Sequence, residues 1–272
     1  MFVVISIVIS ISIIALLLFL SKQNSTLSAR RYHLVMNMRQ VLLLCRQHRG
    51  LSHKVKLRKE ADYTVLQQVE AELIRRVTQL VDDAQFESKP LYRVLEIKVK
   101  AMLNQWQDVS VAKNQMVHGK VIRHCMYLLD DVVLAWLAES GRDDLYETYH
   151  YNWQAVLDAM ETLTRLRIAI QEQDTSCASD QVRYYCGHIL QRMNRLKIID
   201  PDIAFTSQCQ TAMTKLNEIS ESELEAIDAN TLYGLTSEIS TAISDVYDNI
   251  LKSFSEQIYQ PLTEVEPVTA AL

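Results

Sequence analysis

Glycine and proline are nearly missing from this chain, with 5 Gly and 4 Pro in 272 residues. Tight turns draw on those two residues together with Asn and Asp. A β-rich fold with many reversals is therefore excluded, and a few long helices are favoured. Paired cysteine motifs are missing too. The five cysteines stand at 45, 125, 177, 186 and 209, an odd number with no Cys-x-x-Cys spacing. That pattern argues against a disulfide framework or zinc site and fits a reducing compartment. No charged residue precedes Lys22, and no acidic residue precedes Glu60. Ten of the 28 Lys and Arg residues fall between Lys22 and Lys59, while all 33 acids lie from Glu60 onward. A uniformly basic nucleic-acid binder is not built this way, and nucleic acid is not an expected partner.

Catalytic signatures are equally scarce. The chain holds no phosphate-binding glycine loop, no dinucleotide fingerprint, no nucleophile elbow and no His-Glu-x-x-His zinc motif. Helical di-iron sites need two Glu-x-x-His motifs, and only Glu147…His150 has that spacing. The seven histidines never pair at i, i+4. No catalytic residue, metal or cofactor is expected, and the chain does not read as an enzyme.

The longest feature present is apolar. Met1 to Leu20 carry no charge, no Pro and no Gly. Twenty helical residues reach about 30 Å, the thickness of a bilayer's hydrocarbon core. The stretch lacks the basic start and small-x-small end of a cleaved signal. Residues 1–21 are thus expected to form a single-pass anchor in the inner (plasma) membrane, with membrane lipid as its partner. Lys22, Arg30 and Arg31 follow directly, and the positive-inside rule favours the cytoplasm for the bulk of the chain, against the extracytoplasmic placement common for sensory domains with a short N-terminal anchor. The basic residues from Arg30 to Lys59 interleave with apolar ones, as on a packed helix whose flanks face solvent or anionic headgroups.

Beyond the anchor an all-α fold of about eight helices is expected, as two four-helix-bundle-like halves over 25–118 and 119–260, followed by a flexible tail at 261–272. Val35, Met38, Leu42, Cys45, Arg49 and Ser52 recur at helical steps. Leu66, Val69, Leu73, Val77 and Leu80 mark a second helix spanning 61–86, and Pro90 opens a third that runs to about His118, with Gly119 as a cap or bend. A fourth covers 120–139 and ends in a turn at Ser140–Asp143. In the fifth, Leu145, Tyr149, Asn152, Val156, Ala159, Leu163, Leu166 and Ile170 alternate steps of four and three, the spacing of bundle packing. Residues 174–179 read as a loop. Helices near 180–197, 201–218 and 222–258 follow, with Pro201 and Pro261 as punctuation and Leu232, Leu235, Ile239, Ile243, Val246 and Ile250 facing inward.

Two arginines lie on or beside these apolar stripes. Arg49 continues the row from Met38, Leu42 and Cys45, and Arg167 flanks Leu163, Leu166 and Ile170. A buried guanidinium demands an anionic partner. Either acids on other helices, such as Asp82, Asp130, Asp131 or Asp158, supply it, or a bound anion does. Arginine's planar fork suits a planar oxyanion. Gly50, costing about 1 kcal/mol in a helix interior, suggests close approach of something to the backbone beside Arg49.

The segment Arg46-Gln47-His48-Arg49-Gly50-Leu51-Ser52 resembles the Gln-x-Glu-Arg-Gly-Leu-Ser motif of the nitrate- and nitrite-sensing (NIT) domain family. The helix over 155–170 with Arg167 is similar to the arginine-bearing helix of that family's second half. His48 stands where the family has an acid, and Ile168 where it often has a small residue. The resemblance, covering roughly 30–260, implies two four-helix bundles and a sensory protein without enzymatic activity. It also implies nitrate or nitrite bound at Arg49, Arg167, Ser52 and Gly50. Family members carry an output module; none precedes Leu272, which implies signal transduction through a separate partner protein, and pairing of two copies as a homodimer is compatible with it. The alternative is a scaffold that binds other proteins at the membrane and has no small ligand.

Overall fold

The computed structural model describes residues 2–57, 63–84, 87–172, 178–200, 206–221 and 228–269. Among them are eight helices and no strand: α1 (Phe2–Lys56), α2 (Tyr63–Asp83), α3 (Lys89–Gln105), α4 (Val111–Glu139), α5 (Asp143–Gln171), α6 (Ala178–Ile199), α7 (Ser207–Glu221) and α8 (Ala229–Ile258). The chain is all-α, as its scarcity of turn residues requires. Helix α1 packs on α2 and α4, and α3 lies between those two. Helix α5 packs on α6 and α8, with α7 between them. Contacts of α4 with α5 and of α1 with α8 join the two sets of four.

Apolar periodicity explains which faces turn inward. The α1 row Val35, Met38, Leu42, Cys45, the α2 row from Leu66 to Leu80 and the α8 row from Leu232 to Ile250 are all buried. So are Tyr149, Val156, Ala159, Leu163, Leu166 and Ile170 of α5, although Leu145 and Asn152 are only half-buried. Trp153 and Ala155 are buried beside them. The buried face is broader than a heptad stripe because α5 meets α4, α6 and α8 at once.

Three expectations are corrected. The division at 118/119 falls inside α4, which runs unbroken through Gly119, and the third helix ends at Gln105. Ser110 sets the start of α4: its backbone is extended and its hydroxyl accepts from Lys113 N at 3.2 Å. The turn that separates the two sets is at 140–142, where Gly141 has φ 64° and Arg142 N donates to Leu137 O at 3.0 Å. The third correction concerns the tail. Residues 261–269 are laid along α1 rather than loose: Tyr32 Oη donates to Pro261 O (3.1 Å), Arg39 Nη1 to Thr263 O (2.9 Å) and Gln40 Nε2 to Glu266 O (3.2 Å). Gln47 closes the strap by exchanging two hydrogen bonds with Val268, and Leu262 is buried. An extended segment has no internal partners for its backbone groups, and the polar side chains of α1 supply them. The expected endpoints at Ala61, Phe86, Pro201 and Ser222, and most of the loop expected at 174–179, lie outside the described residues.

Helix α1 is 55 residues long, about 80 Å at 1.5 Å per residue. Its N-terminal part carries exposed apolar side chains, from Ile5 (47%) and Ile7 to Leu18 and Phe19 (66%). Among the α1 side chains described, buried positions begin at Tyr32. Taken over the described residues, no helix is long and apolar enough to cross a membrane.

Candidate functional site

Arg49 and Arg167 come from different sets of helices and converge on α8. Arg49 is 3% exposed, and its Nη2 donates to Ser240 Oγ at 2.9 Å. Arg167 is 6% exposed; its Nε donates to Thr236 Oγ1 at 3.1 Å and its Nη2 to Thr236 O at 3.0 Å. Thr236 and Ser240 stand one helical turn apart, so the two guanidinium groups reach neighbouring turns of one helix.

Neither arginine has an ion pair among the described residues. Of the four acids expected as partners, Asp158 instead lies 3.5 Å from both Arg192 and Arg195. Burial raises the pKa of the Asp130 carboxyl to about 6, partly countered by Tyr149. The electrostatics follow. Burial pushes Arg49 well below the ordinary guanidinium range, and the cations of Arg167 and Arg46 push it further. Burial lowers Arg167 to about 10, partly countered by Tyr233. Among the described residues these two buried cations are hydrogen-bonded only to neutral hydroxyl and carbonyl oxygens, and the Arg167 charge opposes that of Arg49.

Beside Arg49 is a cavity of about 490 Å³ between α1 and α8, walled at one end by Pro267 of the strap. Arg46, Arg49 and Lys54 line it against a single carboxylate, Glu238. Arg46 donates to Thr241 O at 3.2 Å and reaches Asp245 only at 3.7 Å. Gly50 also lines the cavity, and no atom lies within 4 Å of the position a Cβ would take. No part of the protein requires glycine there. Gly50→Ala is accordingly expected to stabilise the fold by about 0.5–1 kcal/mol through helix propensity, measured by thermal or urea unfolding. A loss of stability would mean that the backbone of α1 needs glycine after all.

Ser52 does not face this cavity. Fully buried, it donates to Arg49 O at 3.2 Å and accepts from Asn114 Nδ2 of α4 at 3.0 Å. The next residue on α4, Gln115, is 1% exposed, and neither of its amide atoms is hydrogen-bonded to a described residue. Buried amides seldom stay unbonded, so this region has polar capacity to spare.

Two parts of the site were missed in the sequence. The first is the α8 row Thr236, Ser240 and Ser244, all buried. Its signal was available: three hydroxyl residues at steps of four beside the apolar stripe Leu235, Ile239 and Ile243. The second is a buried cluster around His48, which no local pattern announces. His48 Nδ1 lies 2.7 Å from His118 Nε2, and His48 Nε2 lies 3.1 Å from Glu70 Oε1. His118 Nδ1 bonds Asn114 O at 2.8 Å, and Trp106 Nε1 donates to Glu70 Oε1 at 2.9 Å.

Fold and site together define an all-helical bundle protein with an arginine-rich seam where α1 and α5 meet α8. No protein-family model, no curated protein and no solved structure matches the chain.

Proposed function

We propose that this chain is a membrane-anchored, non-enzymatic sensory protein that binds a small planar oxyanion, nitrate or nitrite, at Arg49 and Arg167. It passes the signal to a separate protein partner. The observation that carries this reading is the pair of buried guanidinium groups with no carboxylate within 4.0 Å among the described residues. Charged groups withdrawn from water cost several kcal/mol unless compensated. An oxyanion supplies the missing charge and accepts two parallel N–H donors from each fork.

The family resemblance at Arg49-Gly50-Leu51-Ser52 supports the same ligand. Anchoring is supported by the uncharged run of residues 1–20 and by the exposed apolar side chains from Ile5 to Phe19, with the basic excess after Lys22 keeping the bundles on the cytoplasmic side. Helix α1 then runs in one piece from the anchor to Arg49. A ligand that favours one arrangement of α1 against α5 and α8 shifts a population that this helix conveys to its membrane end.

The test is a titration of the full chain in nanodiscs with sodium nitrate and sodium nitrite, against sodium chloride at equal ionic strength. A saturable rise in melting temperature is expected, worth about 2.7 kcal/mol at a hundredfold excess over Kd. Melting curves that coincide in nitrate, nitrite and chloride would sink the reading.

A further inference from the structure

The three contacts that link Asn114 O, His118, His48 and Glu70 each require one proton. Asn114 O is a carbonyl and can only accept, so His118 carries its proton on Nδ1. The contact between His118 Nε2 and His48 Nδ1 at 2.7 Å needs a second. The contact between His48 Nε2 and Glu70 Oε1 at 3.1 Å needs a third. Two neutral imidazoles carry two protons. Satisfying all three contacts at once therefore takes one proton more than two neutral rings and a carboxylate supply. Without it, some pair of lone pairs must face each other, whichever tautomer His48 adopts. The place for the extra proton is between His48 and Glu70, where Trp106 Nε1 donates to the same carboxylate oxygen.

The surroundings make that proton sensitive to the arginine seam. Facing His48 are Glu70 from α2, His118 from α4 and Trp106 just after α3, with the Lys56 ammonium over the Trp106 ring. On the α8 side of Arg49 stand Ser240, within hydrogen-bond distance, and Glu238, which lines the same cavity, and the Arg167 cation of α5 also acts on Arg49. Glu70 is the carboxylate that bonds His48. Burial lowers both histidines, His118 to about 3, and the Arg49 charge adds to the depression of His118. A hydrogen-bonded path also joins the two places: His118 to Asn114, Asn114 to Ser52, and Ser52 to Arg49 O.

We propose that His48, His118 and Glu70 form a buried proton site coupled to the arginine seam, so that the protein takes up one proton as it binds its anion. The coupling rests on the anion reading above; the proton site does not. An anion beside Arg49 cancels the positive potential that opposes the extra proton. By reciprocity the proton strengthens anion binding. The sign is fixed: binding takes up a proton, so affinity rises as pH falls, by up to about tenfold per pH unit between the loaded and unloaded transitions.

The experiment uses the full chain in nanodiscs and nitrate as the probe, by calorimetry at several pH values between 5 and 8. Buffers of unlike ionisation enthalpy report the protons exchanged. The expected result is uptake approaching one proton and an affinity that weakens as pH rises. In Glu70→Gln the amide donates to His48 Nε2 and removes the need for the third proton, so nitrate still binds but without proton uptake or pH dependence. Nitrate binding with no proton exchange, and the same pH profile in Glu70→Gln, would overturn the coupling and leave the anion site intact. Absence of nitrate binding at every pH would overturn it with that reading. The proton site is then judged alone, by imidazole ¹⁵N spectra of the anion-free chain. One titrating proton sensed by both His48 and His118, and lost in Glu70→Gln, supports it. Two rings that stay neutral and independent from pH 5 to 8 refute it.

Discussion

Arg49→Met is expected to leave a folded protein that is more stable than the parent without anion and no longer responds to nitrate or nitrite. Methionine fills similar volume with an apolar, flexible chain. The substitution removes a cation that is 3% exposed, is repelled by Arg167 and Arg46, and has Ser240 Oγ as its hydrogen-bond acceptor. Relief of an uncompensated buried charge is worth several kcal/mol, and loss of that hydrogen bond returns about 1. The net gain in the anion-free state is about 1–2 kcal/mol, or roughly 2–8 °C in Tm for a chain of this size. Anion affinity falls by about 10- to 150-fold, from the loss of charge-assisted bonds of about 1.5–3 kcal/mol. Arg167→Met loses two hydrogen bonds to Thr236 as well, so its gain in stability is smaller. A scaffold in which Arg49 is a structural strut makes the opposite prediction: the substitution destabilises, and no anion response exists to lose. Thermal unfolding of both variants with and without nitrate separates the two readings.

That contrast shows what the sequence could and could not disclose. Residues that obey a local period were legible. Every member of the α1 row from Val35 to Cys45 is buried, and Arg49 and Ser52 follow it inward because a helix face does not stop at a polar residue. The lack of a carboxylate for Arg49 was visible only within its own helix, since acids on α2, α4 or α8 could have supplied one. Packing decides such matters. His48 lies 70 residues from His118 and 22 from Glu70, and no periodicity relates the three. The sequence showed His48 merely as a departure from a motif. Gly119 misled for a different reason. A lone glycine in a helix costs about 1 kcal/mol, too little to end α4 when His118, Val121 and Ile122 around it are buried. The strap escaped because its order comes from side chains of α1 more than 200 residues earlier, at Tyr32, Arg39, Gln40 and Gln47.

Arg39 lies ten residues before Arg49 on α1 and is as deeply buried, at 2% exposure, yet its substitution is expected to act in the reverse sense. Its Nε and Nη2 form a fork on Asp248 of α8 at 2.6 and 2.7 Å, and its Nη1 donates to Thr263 O of the strap at 2.9 Å. Arg39→Met leaves Asp248 with Lys252, 3.4 Å away, and leaves the Thr263 carbonyl without this donor. Asp248 is about a third exposed and can recover water, which trims the penalty below that of a fully buried pair. The expected loss is about 2–4 kcal/mol, or roughly 5–15 °C in Tm. Amide exchange should quicken across residues 261–269, because three elements lose their common fastener. The exposed pair Arg31–Glu139, which also joins α1 to α4, should cost less than about 1 kcal/mol when broken. If Arg39→Met melts with the parent, the strap is held by its other hydrogen bonds and the Arg39–Asp248 pair contributes little. If instead Arg39→Met unfolds early while Arg49→Met does not, two arginines on one helix are told apart by a single feature. One guanidinium has a carboxylate within bonding distance, and the other is left to find its counter-charge in solution.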